Sequence, residues 1–223
     1  MTDRKLARRI ARTHLERDDP LGWFEALYAT SSGDPACIPW ADLAPNPNLV
    51  SWLDEQAVEG QDRRALKIGC GLGDDAEELA RRGFATTGFD ISPTAVEWCR
   101  ARFPESSVEY RVADLFAPPA EWARAFDLVT ELYTLQVLPP RLRDEAIERV
   151  ASFVAPGGTL LVVCRGREPG GDQGAMPWPL TQEELDRFFQ HGLRQISFED
   201  YVDQETPPVR RFRAVYGADV TER

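Results

Sequence analysis

Three glycines, Gly69, Gly71 and Gly73, stand within the stretch ALKIGCGLGDDAEELARRGF (65–84) and are followed at once by Asp74 and Asp75. Glycine loses more backbone freedom on folding than any other residue. Such a cluster between an apolar run and a helix-prone run therefore points to a tight turn whose main chain lies close to a ligand. The dinucleotide pattern G-x-G-x-x-G would require a glycine where Asp74 stands. Asp74 also places negative charge at the start of the following helix, where a pyrophosphate would otherwise bind. A phosphate-free ligand fits that arrangement better than a nicotinamide dinucleotide. Further along, Asp90 closes the next apolar run and is placed to accept hydrogen bonds from ribose hydroxyls. Asp114, followed by Leu115 and Phe116, is placed to accept from an exocyclic amine while its apolar neighbours sandwich a purine. Glycine loop, ribose acid and purine acid together describe a nucleoside without phosphates.

A second candidate pair is Glu131 and Tyr133, which follow a later apolar run at the end of a strand, where open α/β sheets place their ligands. Each has a structural alternative: Glu131 as the cap of a turn, Tyr133 as a core residue. His14 and His191 are far apart and read as surface or capping residues, and Arg165 and Arg167 as ordinary exposed arginines. No Ser-His-Asp set is evident and no cluster has metal-ligand spacing, so no metal is expected. Cys37, Cys70, Cys99 and Cys164 are too scattered for a zinc knuckle or a small disulfide framework and read as free thiols.

The elements that must hold these residues follow from periodicity. Strands are expected over 65–69, 84–90, 107–114, 125–131 and 158–165, the last entered through the turn APGG. Helices are expected over 74–82, 92–103 and 140–153, with Ser92 as an N-cap and Pro93 at the first helical position. Alternation of this kind means a parallel sheet with helices on both faces. After a helix over 181–192, the segments 193–203 and 209–217 are joined by a short turn and must form an antiparallel hairpin. Ahead of the alternating region, residues 3–17 form a charged helix and 20–29 an aromatic one. Residues 31–53 then carry Pro35, Pro39, Pro45 and Pro47, which rule out a continuous helix there.

Composition narrows the function. The formal net charge is −11, and no Lys/Arg tract of the needed size is present, so nucleic acid is not an expected partner. The charged N-terminus lacks the apolar core of a signal peptide, and no run of 18 apolar residues occurs. A cytoplasmic protein that does not engage membranes is the expectation.

The stretches ALKIGCGLGD, GFDIS, RVADLF, FDLVTELYTLQVLPP and VAPGGTLLVV resemble those of class I S-adenosylmethionine-dependent methyltransferases, over roughly residues 50–217. The resemblance implies a doubly wound, Rossmann-like α/β sheet of seven strands, mostly parallel with an antiparallel C-terminal hairpin. It implies S-adenosyl-L-methionine as cofactor, held by Gly69, Gly71, Gly73, Asp90, Ile91, Asp114 and Leu115, and a methyl acceptor near Glu131 and Tyr133. One departure stands out: Lys67 occupies the place of an acid two residues before the first glycine, and Asp74 or Asp75 is a possible substitute for it. GWFEALY, IPWADLAPNPNLVSWL, PWPLTQEEL and PPVRRFRAVY further resemble the thiopurine S-methyltransferase-like branch, which places N-terminal tryptophans over the cofactor. On that basis Trp40 joins the cofactor-binding set, and residues 20–53 are expected to form a lid. The whole reading is of a single methyltransferase domain, with N-terminal helices and lid over 1–53 and a cofactor-binding core over 54–223. It acts on a small thiol, halide, amine or hydroxyl compound, as a monomer or homodimer. A NAD(P)-dependent oxidoreductase and a catalytically idle cofactor-binding subunit are the alternatives.

Overall fold

The computed structural model describes residues 3–220; residues 1, 2 and 221–223 of the expected single domain lie outside the described residues. The element order is α1 (Asp3–Leu15), α2 (Gly22–Thr30), α3 (Pro47–Glu55), β1 (Arg64–Ile68), α4 (Asp74–Arg81), β2 (Ala85–Asp90), α5 (Pro93–Arg102) and β3 (Glu109–Val112). There follow β4 (Phe126–Leu132), α6 (Pro140–Ser152), β5 (Val154–Arg165), α7 (Gln182–Leu185), β6 (Leu193–Val202) and β7 (Arg210–Ala218). The strands form one seven-stranded sheet in the order β3-β2-β1-β4-β5-β7-β6. Pairing is parallel for β2/β3, β1/β4 and β4/β5 and antiparallel for β5/β7 and β6/β7. This is the mixed sheet that the alternating pattern and the C-terminal hairpin foretell. Among the described residues no helix is long and apolar enough to cross a membrane.

The described residues divide into two compact units, residues 3–62 with Gly69–Asp114, and Arg63–Ile68 with residues 115–220. In the first, Cys70, Ala76, Val96, Cys99, Val108 and Tyr110 form a buried cluster. Trp23, Leu27, Tyr28, Leu49 and Leu53 are buried from the N-terminal helices. Each such aliphatic side chain contributes roughly 1.5–3 kcal/mol by leaving water. In the second, Leu160, Leu161, Val162, Val163 and Cys164 of β5 are all fully buried, as expected for a strand covered on both faces.

Local signals place most boundaries. Ser92 caps α5 by accepting from Ala95 N at 3.0 Å, with Pro93 in the first turn. Gly73, at φ +94°, caps α4, whose first turn carries Asp74, Asp75 and Glu77 against the positive helix end.

Several element extents differ from the sequence expectation. No continuous helix runs over 31–53, but a short one starts late in the segment: Pro47 opens α3 from its first turn, where its missing N–H costs nothing, and Asn46 caps it by accepting from Asn48 N at 2.9 Å. The APGG segment is no separate turn but lies inside the twelve-residue β5, beside a register shift opposite Phe126 and Leu128. A Cβ on Gly158 would come within 2.9 Å of Phe126 O, so only glycine lets the strands approach there. The expected helix over 181–192 is α-helical for four residues only and continues as a 3-10 helix, Asp186–His191.

Candidate functional site

The glycine loop of the first unit follows β1 and runs into α4. Gly69, Gly71 and Gly73 all take positive φ (57°, 56° and 94°), a region that side chains with a Cβ rarely adopt. A Cβ on Gly73 would lie 2.6 Å from the Tyr110 hydroxyl, so this glycine answers to packing as well as to backbone shape. A Cβ on Gly71 would lie 3.4 Å from the Tyr28 hydroxyl and 3.8 Å from Trp40 Nε1.

Asp90, at the end of β2, is brought onto this loop. Its Oδ2 accepts from Gly71 N at 3.0 Å and its Oδ1 from Ser92 N at 3.0 Å. Each carboxylate oxygen has lone pairs beyond the one so used, so the acid is oriented and can still accept. Ile91 and Asp114 are half-buried; Ala113 N donates to Asp90 O at 3.0 Å, which ties the residue before Asp114 to the end of β2. Asp114 lies two residues past the end of β3 instead of within the strand. Leu115 is buried and begins the second unit's long segment.

Helix α5 supports the loop from one face. Cys99 Sγ donates to Gly71 O at 3.1 Å. Arg102 donates to Leu72 O and grips both oxygens of Asp74, at 2.8 and 2.9 Å. Asp75 accepts from Asn46 N at 2.7 Å. Asp74 and Asp75 are thus structural partners of Arg102 and of the segment before α3. No sequence signal marked Cys99 or Arg102, since a helical arginine has many ordinary uses.

The N-terminal segment reaches the same loop. Trp40 is half-buried, donates from Nε1 to the Tyr28 hydroxyl at 2.9 Å, and meets Trp23 and Tyr28 edge-on with ring centroids 6.0 and 6.1 Å apart. Glu25 of α2 clamps the start of α5: it accepts from Ser92 Oγ at 2.5 Å, Thr94 Oγ1 at 2.6 Å and Thr94 N at 3.2 Å. Burial alone would raise its carboxyl, but the hydrogen bonds from Ser92 and Thr94 outweigh this and hold it below the ordinary range. Sequence reasoning did not single out Glu25; a lone acid inside an aromatic helix was the available signal.

In the second unit, Lys67 of β1 is buried and its Nζ donates to Ile68 O at 2.8 Å. Glu131 of β4 is fully buried. It does cap a turn, as its structural alternative holds, because Oε1 accepts from Thr134 N at 2.7 Å and Leu135 N at 2.9 Å. Its Oε2 has no hydrogen-bond partner among the described residues. Burial pushes the carboxyl up to about 7, with the Leu135 N–H, the Lys67 charge and the Thr134 N–H offsetting only part of that rise. Tyr133 is half-buried at φ +68°, and the Arg211 guanidinium lies 4.8 Å above its ring. Arg211 is itself held by Asp203 at 2.7 Å and by Glu205.

Comparison with known proteins agrees with this architecture. Residues 65–158, from β1 into β5, match a family model described as a methyltransferase domain. That span contains the glycine loop, Asp90, Asp114, Glu131 and Tyr133. Among solved structures, one titled for the conversion of a disulfide bond into a thioacetal group during echinomycin biosynthesis superposes with a TM-score of 0.71 at 20% identity, covering 89% of this chain and 92% of the other. The Burkholderia thailandensis 1,6-didemethyltoxoflavin-N1-methyltransferase, with bound 1,6-didemethyltoxoflavin and S-adenosylhomocysteine, gives 0.68 at 13% identity, covering 88% and 87%. The seven-stranded, mostly parallel sheet is therefore the fold that these solved structures share.

Sequence similarity extends to ubiquinone biosynthesis O-methyltransferases. The Bordetella avium (strain 197N) protein is 32% identical over 126 residues, 56% of this chain and 52% of its own length. The Stutzerimonas stutzeri (strain A1501) protein is 33% identical over 56% and 53% respectively. This chain thus spans about half the length of the curated relatives it matches.

Proposed function

We propose that the protein is an S-adenosylmethionine-dependent methyltransferase acting on a small-molecule acceptor. The observation that carries this reading is the Asp90 carboxylate, fixed by Gly71 N–H and Ser92 N–H beside a loop of positive-φ glycines. That cradle suits a ribose approaching the main chain. The acid–arginine pair at the start of α4 leaves no counter-charge for a pyrophosphate, which disfavours the NAD(P) alternative. Gly69, Gly71, Gly73, Asp90, Ile91, Asp114, Leu115 and Trp40 are the proposed cofactor-binding residues. The aromatic segment 20–53, with Trp40 against Gly71, is the proposed lid.

When bound, the cofactor supplies an electrophilic methyl group on a sulfonium. The chain's own contribution is alignment, exclusion of water and the handling of one proton. Glu131 Oε2 is the proposed proton acceptor, and Tyr133 lies two residues beyond it. A carboxyl with its pKa near 7 is half-ionised at neutral pH and suits removal of a proton from a hydroxyl or amine. The O-methyltransferase relatives favour the hydroxyl; a thiolate or halide acceptor would need no base. The finer placement in the thiopurine S-methyltransferase-like branch rests only on the GWFEALY, IPWADLAPNPNLVSWL, PWPLTQEEL and PPVRRFRAVY stretches.

Titration calorimetry with S-adenosylmethionine, S-adenosylhomocysteine and NAD tests the reading. Binding of the first two, lost in Gly71→Val and Asp90→Ala, is expected. Binding of NAD alone, or unaltered cofactor binding by both folded variants, would overturn it.

A further inference from the structure

Tyr28 carries a hydroxyl whose hydrogen-bonding capacity is only half used. The residue is 1% exposed. Its oxygen accepts from Trp40 Nε1 at 2.9 Å, yet no group among the described residues accepts the Tyr28 proton. A buried hydroxyl donor left unused is costly, so nearly all such groups have a partner. The hydroxyl is also aimed: it is the nearest atom, at 3.4 Å, to where a side chain on Gly71 would begin. Burial holds the phenol well above its ordinary range, and the nearby Asp90 charge adds to that rise.

We infer that Tyr28 is a cofactor-binding residue that donates its proton to a ribose hydroxyl oxygen, the same hydroxyl that donates to Asp90. The inference rests on the proposed cofactor site and adds a residue to it. The chemistry selects a hydroxyl over other acceptors. An oxygen between a carboxylate and a phenol must give a proton to the first and take one from the second, and an alcohol does both. A ligand carboxylate at that point would meet the negative charge of Asp90. Trp40 then acts as a positioning residue: its N–H occupies a lone pair of Tyr28 and turns the phenolic proton away from the indole. The aromatic lid residue and the strand-end acid read one sugar hydroxyl from two sides.

The test is calorimetric binding of S-adenosylhomocysteine and its 2′-deoxy and 3′-deoxy analogues to the wild-type chain, Tyr28→Phe, Trp40→Phe and the double variant. Phenylalanine keeps the ring and its packing. Tyr28→Phe should weaken S-adenosylhomocysteine roughly three- to tenfold. One deoxy analogue should bind wild type more weakly than the parent, and Tyr28→Phe should narrow that gap. The comparison of Trp40→Phe with the double variant repeats the measurement without an orphaned indole N–H, and serves if the single tyrosine variant does not fold. Equal loss for the parent and both analogues would mean that Tyr28 acts only through lid packing, and would overturn the inference. Unchanged affinity in Tyr28→Phe, or no discrimination against either analogue by wild type, would do the same while leaving the proposed function in place. A wild-type chain that binds no S-adenosylhomocysteine would remove both.

Discussion

Arg102, at the end of α5, holds Asp74, at the start of α4, through both guanidinium ends, Nη1 at 2.8 Å and Nη2 at 2.9 Å from the two carboxylate oxygens. The same Nη1 donates to Leu72 O, so one side chain fixes both the loop and the helix that leaves it. This explains an aspartate where a dinucleotide-binding turn has glycine. Arg102→Ala should lower stability by about 1–3 kcal/mol, the usual value of a charge-assisted hydrogen bond to a partly buried partner. It should also weaken S-adenosylhomocysteine severalfold. Lysine cannot make the two-pronged contact, so Arg102→Lys should restore stability better than affinity. Calorimetry and thermal melts on the two variants check this, and equal affinity in all three proteins would contradict it.

With Glu131 as the proposed proton acceptor, stability and activity should depend on pH in opposite senses. Its folded pKa, about 7, stands above the ordinary 4.5, so the folded state binds the proton more tightly than the unfolded chain. Its contribution to stability is therefore full below about pH 4.5 and is lost as pH rises towards 7, on the order of 3 kcal/mol in all. Activity on a hydroxyl acceptor needs the ionised form and should rise through the same interval. Glu131→Gln should flatten that part of the stability profile and cut the rate by roughly 10²- to 10⁴-fold. Melts and rates between pH 4.5 and 8 decide it; a glutamine variant with wild-type rates leaves Glu131 as a turn cap only.

Glu25 ties the proposed lid segment to the start of α5. Glu25→Ala removes the acceptor of three hydrogen bonds from Ser92 and Thr94. It should cost about 1–3 kcal/mol and open residues 20–53 to limited proteolysis. Trp40→Ala should raise the KM for the cofactor or lower kcat while β1–β7 remain folded. Wild-type kinetics in a folded Trp40→Ala protein would remove the lid role.

Metal dependence gives a separate check. Methyl transfer here is assigned to alignment and one proton acceptor, so activity should survive EDTA unchanged. Loss of activity on chelation, with recovery on adding magnesium or zinc, would contradict that assignment.

Local signals were legible because they act within a few residues. The alternation of strands and helices, the Gly69–Gly73 turn, and the Ser92–Pro93 start of α5 depend on backbone geometry and on caps reaching three residues or fewer. The hairpin of β6 and β7 follows from its short connection, but not the placing of β7 between β5 and β6, which depends on long-range pairing. Extents were less legible: α7 gives way to a 3-10 helix, and Pro47 starts a short helix in a segment whose prolines excluded only a continuous one. Only the tertiary structure joins Arg102 to Asp74, Glu25 to Ser92, and Tyr28 to Gly71, pairs separated by 28, 67 and 43 positions. Burial likewise decides Glu131, whose carboxyl is ordinary in the sequence and becomes a group titrating near neutrality once folding removes water from around it. Sequence alone determined which residue types stand at the strand ends. Folding decided which of them meet, because contact and desolvation depend on distance in space and not along the chain.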